Sequence, residues 1–428
     1  MAEERFDAIV VGAGVAGSVA AFCLAQAGLE VLLIERGTAP GAKNMTGGRL
    51  YAHSLNKIMP NFWEEAPVER KVTWEIVTLL SEESAVSLDI KSEKFNRTPS
   101  FTVLRSEFDA WLASKAEEAG AMVASGVRVD ELLMENGRVV GVRCDEDEMY
   151  ADVVIEADGA NAILAQKSGL RPELSAKHVA TGVKEVIQLP QQVIEERFGL
   201  SGDTGAVQLF VGECTHGLQG GGFLYTNKES VSLGLVITAD EFLRTEYRIV
   251  DLMEEFKQHP AVQPLIKGGK VVEYSAHLVP EGGLEMMPTL VHDGLLIVGD
   301  AAGLVLNTGY MVRGMDLAIA SGEAAAQAVI AAHKTKDFTK AGLNSYQTAL
   351  ENSFVFQDLK TFAKAPEFMG NKRIFELYPR MVEEMLVSLF SVNGTPTKPL
   401  RKKMLDTMKR HGGLWQLISD AWKGGRAL

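Results

Sequence analysis

Apolar residues follow two rhythms along this 428-residue chain. Near the start, the run Ala8-Ile9-Val10-Val11 gives way to glycines and then to a helical pattern over 16–27 that stops at Gly28. A second run, Val31-Leu32-Leu33-Ile34, follows, so the chain opens as strand, helix, strand. Further on, 108–118 reads as a helix, and 127–133 and 139–144 flank the turn Asn136-Gly137 as a β-hairpin. Strand 152–156 then delivers Ala157-Asp158-Gly159. Short β-like runs dominate 72–102 and 181–275, among them Gly222-Phe223-Leu224-Tyr225. Strand 295–298 ends in Gly299-Asp300-Ala301-Ala302-Gly303 and leads to an Ala-rich helix over 314–333. The polar stretch 91–97 reads as a solvated loop, and the residues after 335 are mostly helical and irregular.

These elements predict an α/β chain. A Rossmann-like dinucleotide-binding domain takes 1–71, 103–175 and 276–335, interrupted twice by a β-rich domain at 72–102 and 176–275. A helical C-terminal region takes 336–428.

The chemistry begins at Gly12-Ala13-Gly14-Val15-Ala16-Gly17, between the first strand and its helix. Gly12 and Gly14 let backbone N–H groups approach a pyrophosphate at a helix N-terminus, and Gly17 lets that helix pack tightly on its strand. Glu35, with Arg36 after it, closes the second strand where a carboxylate accepts hydrogen bonds from an adenosine ribose. Gly299-Asp300, at the end of a second apolar strand, narrows the cofactor from any dinucleotide to FAD: an Asp there contacts the ribityl chain in flavoproteins with two dinucleotide folds. Arg105, ahead of Phe108-Asp109 and Trp111-Leu112, and the pair Asp158-Gly159 match positions where hydroxylase-like flavoproteins place groups around FAD. The fold class expected is therefore an FAD-binding domain of hydroxylase or glutathione-reductase type.

Charge removes some alternatives. The net charge of −13 argues against general nucleic-acid binding. It is uneven, with eight basic residues and two acids from Lys398 onward, about +6 on a body near −19. No secretory signal and no uninterrupted apolar stretch of spanning length stands out, so a cytoplasmic chain is expected. Cys23, Cys144 and Cys214 are too few for a four-thiolate cluster, and eight scattered histidines show no metal spacing, so no metal is expected in this chain.

Several stretches are similar to electron-transfer-flavoprotein:quinone oxidoreductases, nearest to the bacterial FixC-type branch within the geranylgeranyl-reductase-like flavoproteins. They include Lys43-Asn44-Met45-Thr46-Gly47-Gly48-Arg49-Leu50-Tyr51, Gly221-Gly222-Phe223-Leu224-Tyr225, Phe256-Lys257-Gln258-His259-Pro260, Gly268-Gly269-Lys270, Pro280-Glu281-Gly282-Gly283 and Arg313-Gly314-Met315-Asp316. The resemblance implies one FAD that receives electrons from a two-subunit electron-transfer flavoprotein and passes them to membrane quinone. It adds Ala16, Gly47, Gly48, Arg49, Val129, Gly309 and Val312 to the residues expected around FAD. It places Gly221, Gly222, Phe223, Gly282 and Gly283 at the quinone. Electron transfer through a flavin needs no catalytic acid of special pKa, and none is assigned. Because the four-cysteine cluster of the long mitochondrial-type relatives is missing, the resemblance also implies a small ferredoxin-like iron–sulfur partner. Leu414, Leu417, Ile418 and Trp422 recur at helical spacing in the basic tail, a route to the inner face of the cytoplasmic membrane, or else the docking face of a terminal helix. Two other readings stand beside this one: a flavin-dependent reductase or hydroxylase acting directly on an isoprenoid-like or aromatic molecule, and a non-catalytic carrier that kept the fold.

Overall fold

The computed structural model describes residues 5–44 and 48–428. Two sheets carry the architecture. In the first, five parallel strands run in the order Leu295–Ile297, Asp147–Glu156, Arg5–Val11, Val31–Glu35, Met122–Ser125. The two inner apolar runs are buried; helix Val15–Gln26 packs on them, and helix Met315–Thr335 packs in turn on that helix. Their contact is close: a Cβ at Gly322 would stand 2.2 Å from the backbone oxygen of Ala16. Met315–Thr335 is also long and apolar enough to cross a membrane, but 67% of its most apolar window is buried inside the protein.

The second sheet has nine strands. From Lys270–Pro280 it passes through Val179–Gln188, Ser230–Thr238, Gly220–Thr226 and Thr204–Gly212 to Val68–Leu80, then to Ser100–Val103 and Arg49–Tyr51, with Ala85–Lys91 on the outer side of Val68–Leu80. The two β-rich stretches of sequence thus share one sheet. That sheet reaches further than the sequence pattern implies, taking in Arg49–Tyr51, the start of Val68–Leu80 and the chain up to Pro280.

Some local expectations are corrected. The helix expected from 108 starts at Arg105. The hairpin strand expected from 127 starts only at Glu131. The preceding residues close a loop instead, with the Gly126 and Val127 amides donating to the Gly37 and Glu35 carbonyls beside the parallel strand Met122–Ser125. Within 91–97, Glu93–Arg97 forms a 3₁₀ turn because the Ser92 hydroxyl accepts from the Lys94 amide.

The C-terminal region is helical. Phe354–Thr361 and Ala365–Met369 approach the first domain, and Leu377–Phe390, Leu400–Arg410 and Leu414–Ala427 follow. The last helix is pinned through its polar side. The Asp420 carboxylate accepts from Arg373 Nε and Nη2 at 2.7 Å each and from the Tyr378 hydroxyl, and Gly424 lies against the Phe368 ring. Leu414, Trp415, Ile418 and Trp422 consequently face outward, Trp415 at 84% exposure and Trp422 at 68%.

Candidate functional site

One cavity of about 790 Å³ runs between the two sheets, within the size range of cofactor and ligand sites. Its first end is the glycine loop. Gly12 has φ +104°, and a Cβ there would stand 2.3 Å from the Ala157 carbonyl oxygen, so the backbone itself forms this wall. Gly14, Val15 and Ala16 line the cavity at the start of Val15–Gln26, a helix with no side-chain cap and no acid in its first turn. Its leading N–H groups are left for an anion. Gly17 is turned away, its α-carbon packed where a Cβ would meet the Gly12 oxygen at 1.9 Å. Glu35 is fixed by two amides, Ala13 N–H at 3.0 Å and Gly37 N–H at 2.6 Å, one on each carboxylate oxygen. Arg36 and Val129 line the same end.

Arg105 reaches the glycine loop from the first turn of its helix, its Nη2 lying 3.7 Å from where a Gly14 Cβ would be. It is held by Asp109, one turn on, through Nε and Nη2 at 2.6 Å each. Asp109 also accepts from Asn44 Nδ2 at 2.6 Å. The ion pair is almost fully buried, and it clamps the segment after the second strand onto the cavity wall.

Gly299 and Asp300 form a tight 3₁₀ turn beneath the cavity. The Gly299 amide donates to the Ser321 hydroxyl at 2.9 Å, which ties the turn to the long helix. Burial raises the Asp300 carboxyl above its ordinary range, restrained by the charges of Arg105 and His277. The helix expected over 314–333 runs Met315–Thr335, and a short hairpin, Leu306–Asn307 with Val312–Arg313, stands between the turn and that helix; Gly309, Val312 and Gly314 line the cavity.

Asp158 and Gly159 line the cavity beside the glycine loop. Asp158 Oδ2 accepts from the Ile163 amide at 2.8 Å, while its Oδ1 is buried with no hydrogen-bond partner among the described residues. Burial pushes this carboxyl up to about 6. Glu156, two residues back and fully buried, is also pushed up, first by burial and then by the Asp158 charge. Arg171 sits nearby, its Nη1 donating to the Ala301 carbonyl, so this acidic pair is joined to the Asp300 turn.

The far wall belongs to the second sheet. Gly221, Gly222 and Phe223 line it. Phe223 stacks on Tyr225 with ring centroids 5.1 Å apart, and Gly48 leaves the room for Tyr225: a Cβ there would stand 1.8 Å from the ring. Arg49 lines the cavity, ion-paired to Glu75 and lying over Tyr51. Gly47 lies outside the described residues. Gly282 and Gly283 stand apart from the cavity lining, Gly282 packed against His178 and Met286, whereas their neighbour Glu281 is on the wall.

Sequence patterning alone did not reveal three further parts. Arg313 bridges Asp316 and Asp358, with His53 on the same Asp316 oxygen at 3.0 Å. Glu281 accepts from Asn307 and Thr238. Pro366, Met369 and Phe375 bring the C-terminal region to the cavity's apolar end. Each depends on pairing between distant segments, which no local pattern reports.

Comparisons with known proteins place the chain in a family. Residues 7–217 match a family described as FAD dependent oxidoreductase, 179–279 match "ETF-QO, ubiquinone-binding", and 365–428 match the ETF-QO/FixC family C-terminal domain. A probable electron transfer flavoprotein-quinone oxidoreductase, YdiS of Escherichia coli K12, is 52% identical, with 100% of both chains covered. The chain belongs to the ETF-QO/FixC family. Protein FixC of Escherichia coli O157:H7 is 51% identical over 99% of both chains, and that of Bradyrhizobium diazoefficiens 41% identical over 100% of both. Among solved structures, a geranylgeranyl bacteriochlorophyll reductase-like protein from Thermoplasma acidophilum superposes with a TM-score of 0.73 at 20% identity, covering 99% of this chain and 100% of its own. The halogenase PltM, solved in complex with phloroglucinol and FAD, gives 0.62 at 15%, covering 98% and 86%. These two share the fold.

The ETF-QO/FixC chain is an FAD-dependent oxidoreductase, and its residues fit the cofactor. The uncapped helix behind Gly14 would hold the pyrophosphate, Glu35 the adenosine ribose, and Asp300 the ribityl chain. The buried Oδ1 of Asp158 is a ready acceptor at the same wall. When bound, FAD supplies the two-electron carrier. The protein's own contribution is the shape of the cavity and the polarity of its wall, where Arg49, Arg105 and Arg313 stand, each already paired with a carboxylate.

Proposed function

We propose that this chain accepts electrons from a two-subunit electron-transfer flavoprotein and passes them through its FAD to a membrane quinone. The observation that carries this reading is the continuity of one cavity. It joins Gly14 and Asp300 of the dinucleotide fold to Gly221, Gly222 and Phe223, which fall within the stretch matched to the ubiquinone-binding family. FAD and quinone would then share one cavity with an apolar end, which suits a hydrophobic acceptor. The test is anaerobic: reduce the flavin, mix with a short-chain quinone analogue, and follow reoxidation spectrally. Fast, saturable reoxidation is expected. Reoxidation that stays slow even after a ferredoxin-type protein is added would favour an enzyme acting directly on an isoprenoid-like or aromatic substrate.

Two finer points belong to the same proposal. A small ferredoxin-like protein supplies any iron–sulfur centre, because Cys23, Cys144 and Cys214 are buried on separate elements, with thiols pushed up to about 12, 11 and 12 by burial. The protein works on the inner face of the cytoplasmic membrane through its last helix. In support, Leu414, Trp415, Ile418 and Trp422 form an outward apolar stripe in the basic tail. The pair W415S and W422S is expected to lose sedimentation with anionic vesicles while keeping its flavin; unchanged sedimentation would remove the membrane role.

A further inference from the structure

Glu281 lies one residue past the strand Lys270–Pro280, where Val179–Gln188 begins and Ser230–Thr238 ends. Its backbone amide donates to the His178 carbonyl at 2.8 Å, which turns the residue onto the cavity wall. The carboxyl meets two neutral groups. Asn307 Nδ2 donates to Oε1 and the Thr238 hydroxyl to Oε2, both at 3.3 Å. Asn307 cannot reverse, because its own Oδ1 accepts the Gly309 amide at 2.9 Å. Thr238 can, since a hydroxyl both donates and accepts. Oε1 is therefore a fixed acceptor, and Oε2 is the atom that can carry a proton.

The surroundings favour that proton. Among the described residues no cation pairs with Glu281; its cavity is lined by Val236, Val279, Pro280 and Met369 as well as by Lys177, His277 and Arg313. Titratable groups on the elements around it are His277 on its strand, Lys177 and His178 before the next strand, Asp240 and Glu241 after Thr238, Glu285 on the following turn, Arg313 on the hairpin, and Lys364 and Glu367 at the C-terminal helix. None of these side chains hydrogen-bonds it. Burial accordingly holds the carboxyl above its ordinary range, the two neutral donors pulling the other way.

We propose that Glu281 is the proton carrier of the quinone half-reaction, giving the proton on Oε2 to a carbonyl oxygen of the bound quinone. The inference rests on the quinone reading above. Conversion of quinone to quinol takes two electrons and two protons. FAD, when bound and reduced, would supply both electrons and one proton. The second proton leaves Glu281 as its O–H bond breaks and a new one forms on the quinone oxygen, and solvent then reprotonates the carboxylate.

The test uses the flavin-loaded enzyme and E281Q, whose amide keeps an acceptor for Asn307 and a polar contact for Thr238 but cannot titrate. Anaerobic reoxidation by a short-chain quinone, followed upward from the ordinary carboxylate range at about pH 4, should slow in the wild type as the acid ionises. E281Q should be about 100-fold slower with that pH dependence gone, and E281D should restore it. Flavin content and affinity for a non-reducible quinone analogue should stay at wild-type values. Independently of turnover, an infrared pH titration should show a carboxyl band that ionises above the ordinary carboxylate range and that E281Q lacks. A wild-type rate and pH profile in E281Q, or absence of the band, would reduce Glu281 to a clamp between Thr238 and Asn307 and leave the quinone reading intact. No reoxidation of the wild type by quinone at any pH would instead overturn the reading itself.

Discussion

Arg105 and Asp109 show how one buried pair sets a functional wall. The guanidinium and carboxylate are 7% and 0% exposed, so each is tolerated only because the other is there. Replacing Asp109 by Asn keeps the shape, removes the compensating charge, and loosens Asn44 as well. D109N is expected to lose roughly 3 kcal/mol of unfolding free energy, read from urea denaturation, and to purify with less flavin. R105K should fall between, because an ammonium cannot make the two-pronged contact. Asp158 gives a pH signature at the same scale. Its carboxyl is raised to about 6 in the folded protein, so the folded state holds a proton that the unfolded chain releases near 4, and flavin-free protein should lose stability as pH rises between those values. In D158N that loss should shrink, measured as melting temperature against pH.

At the scale of elements, the contact between Val15–Gln26 and Met315–Thr335 fixes the position of the glycine loop. Gly322 lets the helices meet at backbone distance, so G322V is expected to push them apart and cost about 1–3 kcal/mol, visible as a lower denaturation midpoint. The sequence makes some of this legible. Apolar runs at 8–11 and 31–34, the breaks at Gly12 and Gly28, and Glu35 after the second run are local signals, and each corresponds to a strand, a turn or a helix end in the structure. What joins segments far apart is different. Asn44 meets Asp109, Arg313 meets Asp358, and Glu281 meets Asn307 and Thr238, none of which any periodicity encodes. The strand Met122–Ser125 was hidden for a related reason: it is four residues long, half exposed, and defined by its parallel neighbour.

The whole molecule is held at its C-terminal end by charge, with its apolar face outward. The Asp420 carboxyl is held well below its usual range by Arg373 and Tyr378, so the contact strengthens docking of the last helix above about pH 4 and is lost as pH falls through the lowered value. D420N should release that helix at neutral pH, seen as faster proteolysis after Pro396 with the flavin domain intact. A second whole-molecule property follows from the cavity, whose walls come from both sheets and from the C-terminal region. Whatever fills it touches three parts of the chain at once, and only the folded chain offers them together. Free FAD therefore acts as a stabiliser by mass action, adding about 2.7 kcal/mol at a concentration 100 times its dissociation constant. A cell short of riboflavin would then hold less of this protein, through turnover of the unfilled form, before any change in its synthesis.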